Sequence, residues 1–278
     1  MRGVALPDGG ALRDWRIADG RWCEGVVPGA SEVPGAWVIP GGLADAHVHL
    51  TMNFGRVMPH PDGSDALVSA NQGGLGRAGV LAVRDAGYAW GGVPRHSSEG
   101  PRLQRAGAIL APPGRGYPNV CRSAEPDRLV EIALEEVAEG AQWVKVLADF
   151  PGPDGNWFTA QANYPRDVLA TLVREAHAAG ARVMARAAER GVPIIAGTDE
   201  IGVGALAREA ESLSRFGLAN SQAIAAISTS ARAWLGFPPP QIGEPADAVT
   251  FATDPREDLS SLPRPAAVLF AGDLVPLA

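Results

Sequence analysis

Between Leu43 and Leu235 the sequence alternates short apolar runs with stretches of helical periodicity, and this alternation restricts the fold more than any other feature of the chain. Parallel strands need a crossover of about a dozen residues or more, and a helix is the usual way to supply it. Alternating strand and helix patterns therefore point to the α/β class with parallel β/α units. Strands are expected at Leu43–His49, Val80–Arg84, Ala108–Ala111, Trp143–Leu147 and Val192–Gly197. Helices are expected over Pro126–Glu139, which opens on a proline suited to a first turn, and over Pro165–Ala179, closed by Gly180. Two more follow near Gly204–Phe216 and Asn220–Leu235.

The flanks read differently. Residues 1–40 and 246–278 carry short apolar pieces between Gly, Pro and Asp turns, the pattern of short antiparallel strands. Neither flank is long enough for a domain, so the two ends are expected to pair into a small β-sandwich around a central domain of residues 41–245. With 46% hydrophobic and 20% charged residues in 278, the chain can bury a substantial core. No run approaches the ~18 apolar residues of a membrane span, and the start lacks a signal-peptide core, so a cytoplasmic location is expected. Cys23 and Cys121 stand far apart without a CxxC partner and read as ordinary thiols. A net charge of -7 argues against a nucleic-acid partner, because a phosphate backbone is held by clustered Lys and Arg. The expected partner is a small-molecule substrate, with neither nucleic acid nor membrane, and homo-oligomerisation is left open.

The chemistry concentrates in Pro40-Gly41-Gly42-Leu43-Ala44-Asp45-Ala46-His47-Val48-His49. Alternate residues of a strand share a face, so Asp45, His47 and His49 point one way while Ala46, Val48 and Leu50 point the other. Two neutral imidazoles converging at a strand end suit Zn²⁺, with metal–nitrogen distances of about 2.0–2.1 Å. Two partly exposed polar histidines would produce the same HxH, so the pair alone leaves both readings open. Lys145 is the only lysine among 24 basic residues and sits in the apolar run Trp143-Val144-Lys145-Val146.

The run PGGLADAHVH closely resembles the first-strand motif of the amidohydrolase superfamily. Val83-Arg84-Asp85-Ala86-Gly87 resembles that superfamily's second-strand end, Trp143-Val144-Lys145-Val146 its fourth strand and Ala196-Gly197-Thr198-Asp199 its eighth, in the same order. Ala231–Leu235 followed by Ala246–Val249 resembles the return to its small sandwich, and the likeness is nearest to the imidazolonepropionase and prolidase-like branch. The resemblance implies a (β/α)₈ TIM barrel and a metal-dependent hydrolase acting on amide, cyclic amide or peptide-like C–N bonds. It further implies one or two divalent ions, Zn²⁺ foremost, bound by His47, His49, a CO₂-carboxylated Lys145 and Asp199, with Asp199 also the general base. The chemistry is reasonable without the family. A lysine desolvated in a barrel loses its proton readily, and the neutral amine captures CO₂; the bland alternative is a snorkelling surface lysine. Asp199 follows a run too apolar for an exposed edge, so it is either a helix cap or a site residue.

Arg115 and Tyr117, in the loop after the third strand, are candidate substrate contacts. His177 reads as a helix-end residue favoured by the dipole, and His60 and His96 as solvated loop residues. The pattern breaks after Ala181-Arg182-Val183-Met184-Ala185. Only Arg186–Gly191 separates this fifth strand from the presumed eighth, and the histidines expected from the fifth and sixth strands are missing. At about 30 residues per β/α unit, about 80–100 residues are missing relative to a full barrel. A backbone discontinuity between Val183 and Gly191 is expected, and the alternative reading is a degenerate, non-catalytic scaffold that binds a ligand or partner.

Overall fold

The computed structural model describes all residues except 54–59, 62–64, 89–99, 152–154, 156–159, 185–193, 200–203 and 278. The class is mixed α/β. Along the chain run β1 (Arg2–Ala5), β2 (Arg13–Asp14), β3 (Trp37–Pro40), β4 (Leu43–Val48), α1 (Asp65–Arg77), β5 (Val80–Asp85) and β6 (Arg102–Ala111). Then come α2 (Leu129–Ala138), β7 (Trp143–Val146), α3 (Arg166–Ala178) and β8 (Arg182–Met184). The remainder comprises α4 (Ala205–Arg215), α5 (Asn220–Ala226), α6 (Thr229–Leu235), β9 (Ala248–Phe251), β10 (Ala267–Phe270) and β11 (Asp273–Leu274).

The central sheet follows the order β8-β7-β6-β5-β4, every pair parallel. Its strands are apolar because helices cover them. Ala108, Leu110, Val144 and Val146 bury against Leu129, Ile132 and Ala133 of α2 and Leu172 and Ala176 of α3. Beyond β4, residues 194–199 are not a regular strand, yet Ala46 N–H donates to Ala196 O at 3.0 Å and Asp199 N–H to His47 O at 2.8 Å. The expected eighth strand thus lies beside the first. The expected discontinuity falls on 185–193, outside the described residues, as do His96 and the side chain of His60.

A second sheet unites both ends of the chain in the order β11-β10-β9-β3-β1-β2. Ile39, Val249, Phe251 and Val268 from it share one core with Leu43, Val80, Leu81 and Val83 of the central sheet and Val68 and Leu75 of α1. The helix expected over Asn220–Leu235 is two helices, broken at Ile227 and Ser228. The carbonyls of Ala226 and Ile227 leave the helical ladder to accept from Ala196 N–H at 3.0 Å and Ala44 N–H at 2.7 Å. Those bonds fix the floor of the site to the start of β4.

Candidate metal centre

His47 lies at the end of β4 and His49 just beyond it. Their Nε2 atoms lie 3.3 and 3.2 Å from Oδ1 of Asp199. The three donor atoms are all within 4.8 Å of one another, the one such group among the described residues. Tetrahedral geometry with bonds of about 2.0–2.1 Å sets donor atoms about 3.3–3.4 Å apart, so these separations suit one ion.

The donor chemistry agrees. Nδ1 of His49 lies 2.6 Å from the Gly87 carbonyl, which can only accept, so Nδ1 carries the proton. In the neutral ring Nε2 then presents a lone pair to a carboxylate oxygen. Two acceptors facing each other at 3.2 Å repel unless a cation lies between them. Burial, followed by the charge of Lys145 and then His49, pushes His47 down to about 3, which leaves its ring neutral and its lone pair available. Burial alone would raise Asp199, but its neighbours His49, His47 and Lys145 outweigh it and hold the carboxyl below its usual range.

Two buried carboxylates hold this geometry. Asp45 Oδ1 accepts from His47 N–H at 3.0 Å and Thr198 N–H at 3.1 Å, and Oδ2 accepts from Thr198 Oγ1 at 2.8 Å. It ties the histidine strand to the segment bearing Asp199, and burial raises it to about 6 against those hydrogen bonds. Asp85 accepts from Leu50 N–H and Gly87 N–H, both at 2.9 Å, and so fixes the carbonyl that orients His49. Gly197 is required by proximity. A Cβ there would meet His47 Cβ at 2.5 Å and His47 N at 2.7 Å. Asp199 has φ +55, a left-handed conformation that Asp tolerates better than most residues, and it follows Thr198 out of the extended segment.

Solved structures share this architecture at low identity. A prolidase complexed with N-methylphosphonate-L-proline matches at TM-score 0.72 and 20% identity, covering 99% of this chain and 98% of that one. The ochratoxinase of A. niger matches at 0.72 and 18%, covering 99% and 94%, and phenylurea hydrolase B at 0.77 and 16%, covering 98% and 95%. The chain shares the fold of these hydrolases. No family model matches it. Uncharacterized proteins of Mycobacterium bovis and Mycobacterium tuberculosis are 28% identical over 364 residues, covering 98% of this chain and 94% of theirs. Since 98% of 278 is about 272, about 92 of those 364 aligned positions have no counterpart here.

Within this fold the residues singled out in the sequence fall as follows. His47, His49 and Asp199 meet. Lys145, half-buried on β7, lies opposite Ile109 of β6 and Met184 of β8. Burial lowers its amine, the Asp199 charge opposes that, and the charge of Lys145 in turn lowers His47. Tyr117 packs edge-on to Phe150 at 5.3 Å between ring centroids and borders the cluster of Met52, Ile109 and Val120. Burial raises its hydroxyl, and the charge of Asp199 raises it further. Arg115 is anchored instead: Nε donates to Asn163 Oδ1 at 2.9 Å and Nη2 to Gln161 O at 2.8 Å. Asn163 donates back to the carbonyls of Arg115 and Leu147, both at 2.9 Å, so the loop is pinned to the end of β7. The sequence reading missed the orienting role of Asp85 and Gly87. Its signal was present: an Asp ending a buried strand, two positions before a glycine.

Proposed function

We propose that this chain is a metal-dependent hydrolase that cuts C–N bonds in amide, cyclic amide or peptide-like substrates with an activated water. The observation that carries this reading is the convergence of His47 Nε2, His49 Nε2 and Asp199 Oδ1 at spacings suited to one ion. A divalent cation there, Zn²⁺ first among the choices, would supply the Lewis acidity that polarises a carbonyl and acidifies water. Asp199 is the group placed to accept the proton from water and return it to the leaving nitrogen. Asp45 and Asp85 position the ligands without touching substrate. Lys145, carboxylated by CO₂, would add an oxygen ligand, and Tyr117 and Arg115 line the approach. We place this enzyme in the cytoplasm, on an incomplete (β/α)₈ barrel, with residues 1–40 plus 246–278 as the small domain. No described helix is long and apolar enough to cross a membrane.

The likeness in fold to a prolidase, an ochratoxinase and a phenylurea hydrolase supports a C–N substrate. A second reading, a non-catalytic scaffold that binds a ligand or partner, is supported by the roughly 92 aligned positions that this chain lacks out of 364. Elemental analysis after expression with zinc is expected to find bound metal, lost in His47→Ala and His49→Ala while the circular dichroism spectrum persists. Absence of metal would remove the hydrolase reading. Metal-loaded protein inert toward lactams, hydantoins, imidazolones and acyl-dipeptides would favour the scaffold. Lys145→Ala rescued by short carboxylic acids would support the carbamate.

A further inference from the structure

We propose that a cavity at the amino end of the parallel sheet, away from the metal centre, binds a small organic carboxylate through the guanidinium of Arg232. The inference goes beyond the hydrolase reading and does not depend on it.

The cavity measures about 320 Å³ and lies where three parts of the chain meet. Gly41, ahead of β4, and Arg102, at the start of β6, come from the central sheet. Arg232 and Phe237 come from α6 and the chain after it, and Glu244 and Asp247 from the approach to β9. A space of this size is at the lower end of small-molecule sites, which run from about 300 to 1,000 Å³. The metal ligands stand at the other end of the same sheet. Leu43 and His47 are four steps of about 3.3 Å apart along β4, so about 13 Å of strand separates the two places.

Arg232 is 6% exposed, and its one hydrogen bond among the described residues runs from Nη1 to the Gly41 carbonyl at 2.8 Å. Its Nε is buried with no partner. The Nε and Nη2 atoms form the edge by which a guanidinium grips two oxygens at once, and on Arg232 that edge meets no protein acceptor. Gly41 keeps the ground beside it open. A Cβ at Gly41 would stand 2.6 Å from Nε and 3.0 Å from Cζ. The guanidinium carbon lies 5.5 Å from the centroid of the Phe237 ring, which leaves the in-plane edge to the ligand.

Neighbouring charges decide which anion completes the site. Asp247 is spent: its Oδ2 accepts from Arg102 Nε at 2.6 Å, and its Oδ1 from Arg102 Nη2 at 3.0 Å and Ala271 N–H at 2.9 Å. Burial pushes Arg232 down to about 10, with the Asp247 charge opposing and the Arg102 charge adding, so it stays a cation at neutral pH. Glu244 shares the cavity, and among the described residues no salt bridge joins it to either arginine. Two guanidinium groups facing two carboxylates leave no surplus for a dianion such as phosphate. One planar carboxylate matches the free edge in shape and charge. Leu103, Phe237 and the run Pro238–Pro240 offer apolar walls to the body behind it.

The test titrates the full chain by calorimetry, both zinc-loaded and zinc-stripped, with benzoate, benzamide, acetate and inorganic phosphate. Benzoate is expected to bind at one site per chain with a dissociation constant of about 1 mM or tighter, equally in both forms. Benzamide and phosphate should bind about tenfold more weakly or worse, and acetate should fall behind benzoate for want of an apolar body. Arg232→Met should weaken benzoate about tenfold or more, whereas Glu244→Gln, which removes a like charge, should tighten it by up to about fivefold. The absence of saturable benzoate binding overturns the proposal, as does benzamide, acetate or phosphate equal to benzoate. Benzoate binding that disappears with the zinc places the anion at the metal centre and overturns it too. Unchanged affinity in either variant does the same, and Glu244→Gln keeps the test decisive if Arg232→Met fails to fold.

Discussion

Replacing Gly197 by Ala should uncouple the metal ligands from one another. The new Cβ would stand 2.5 Å from His47 Cβ, 2.7 Å from His47 N and 3.1 Å from His47 Cα. Ordinary contact begins near 3.4 Å, and the atoms in the way are backbone and a Cβ held in β4. Segment 194–199 and β4 must therefore separate by most of 1 Å. The Ala46 N–H to Ala196 O and Asp199 N–H to His47 O bonds, at 3.0 and 2.8 Å, lie directly in the path of that movement. Overpacking of this kind costs about 1–3 kcal/mol. At about 2–4 °C per kcal/mol for a chain of this size, thermal unfolding should move down by about 2–12 °C. Asp199 should retreat from His47 and His49 by a similar distance, enough to break a bond of about 2 Å to a shared ion. Differential scanning calorimetry reads the first effect and zinc stoichiometry after dialysis the second. Gly74→Ala is the control: its Cβ meets nothing within 4 Å in α1, so it should stabilise by up to about 1 kcal/mol. A Gly197→Ala protein that keeps both its zinc and its melting temperature would refute the account of how this centre is held.

Asp45→Ala should leave His47 N–H and the Thr198 donors without their acceptor, lowering stability by about 1–3 kcal/mol for each donor that water cannot reach and weakening zinc retention on dialysis. Glu136→Ala should cost about 3–5 kcal/mol in urea denaturation, because this buried carboxylate takes Tyr88 OH at 2.6 Å, Ala108 N–H at 2.9 Å and Arg122 Nη1 at 2.6 Å. Burial would raise Asp254, but hydrogen bonds from Arg256 outweigh it and hold the carboxyl below its usual range. A depressed acid stabilises the fold above its unfolded pKa and loses that contribution as pH falls through the folded one. Asp254→Asn should therefore lower the melting temperature at pH 7 and converge on wild type near the acid end of the transition; an equal deficit at both pH values would contradict the assignment.

The central strands were legible because burial on both faces leaves near-continuous apolar runs, as in Val80–Asp85 and Trp143–Val146. The candidate metal ligands were legible because one lies at the end of a strand, the second just beyond it, and the third ends another apolar run. The helix α1 was not, since Gly73, Gly74 and Gly76 make Asp65–Arg77 look like turn sequence. Its helical state depends on Val68 and Leu75 joining the core beneath β5. Nor could periodicity show the break between α5 and α6, which comes from carbonyls bonding to residues 44 and 196, far away in the chain. Arg84 was seen as part of a motif. Its packing against Trp143 and Trp234, some 90 positions apart in the chain, became apparent only in the fold.

The donor set closes only when Asp199 reaches His47 and His49, which precede it by about 150 positions. A ribosome must therefore release most of the chain before an ion can find its complete set of ligands. The sheet that carries β3 ahead of those histidines waits longer still, for β9, β10 and β11 at the far terminus. On the proposed reading, metal loading is then a late event in the life of the polypeptide. Nascent chains stalled before Asp199 should hold zinc no better than a free HxH peptide.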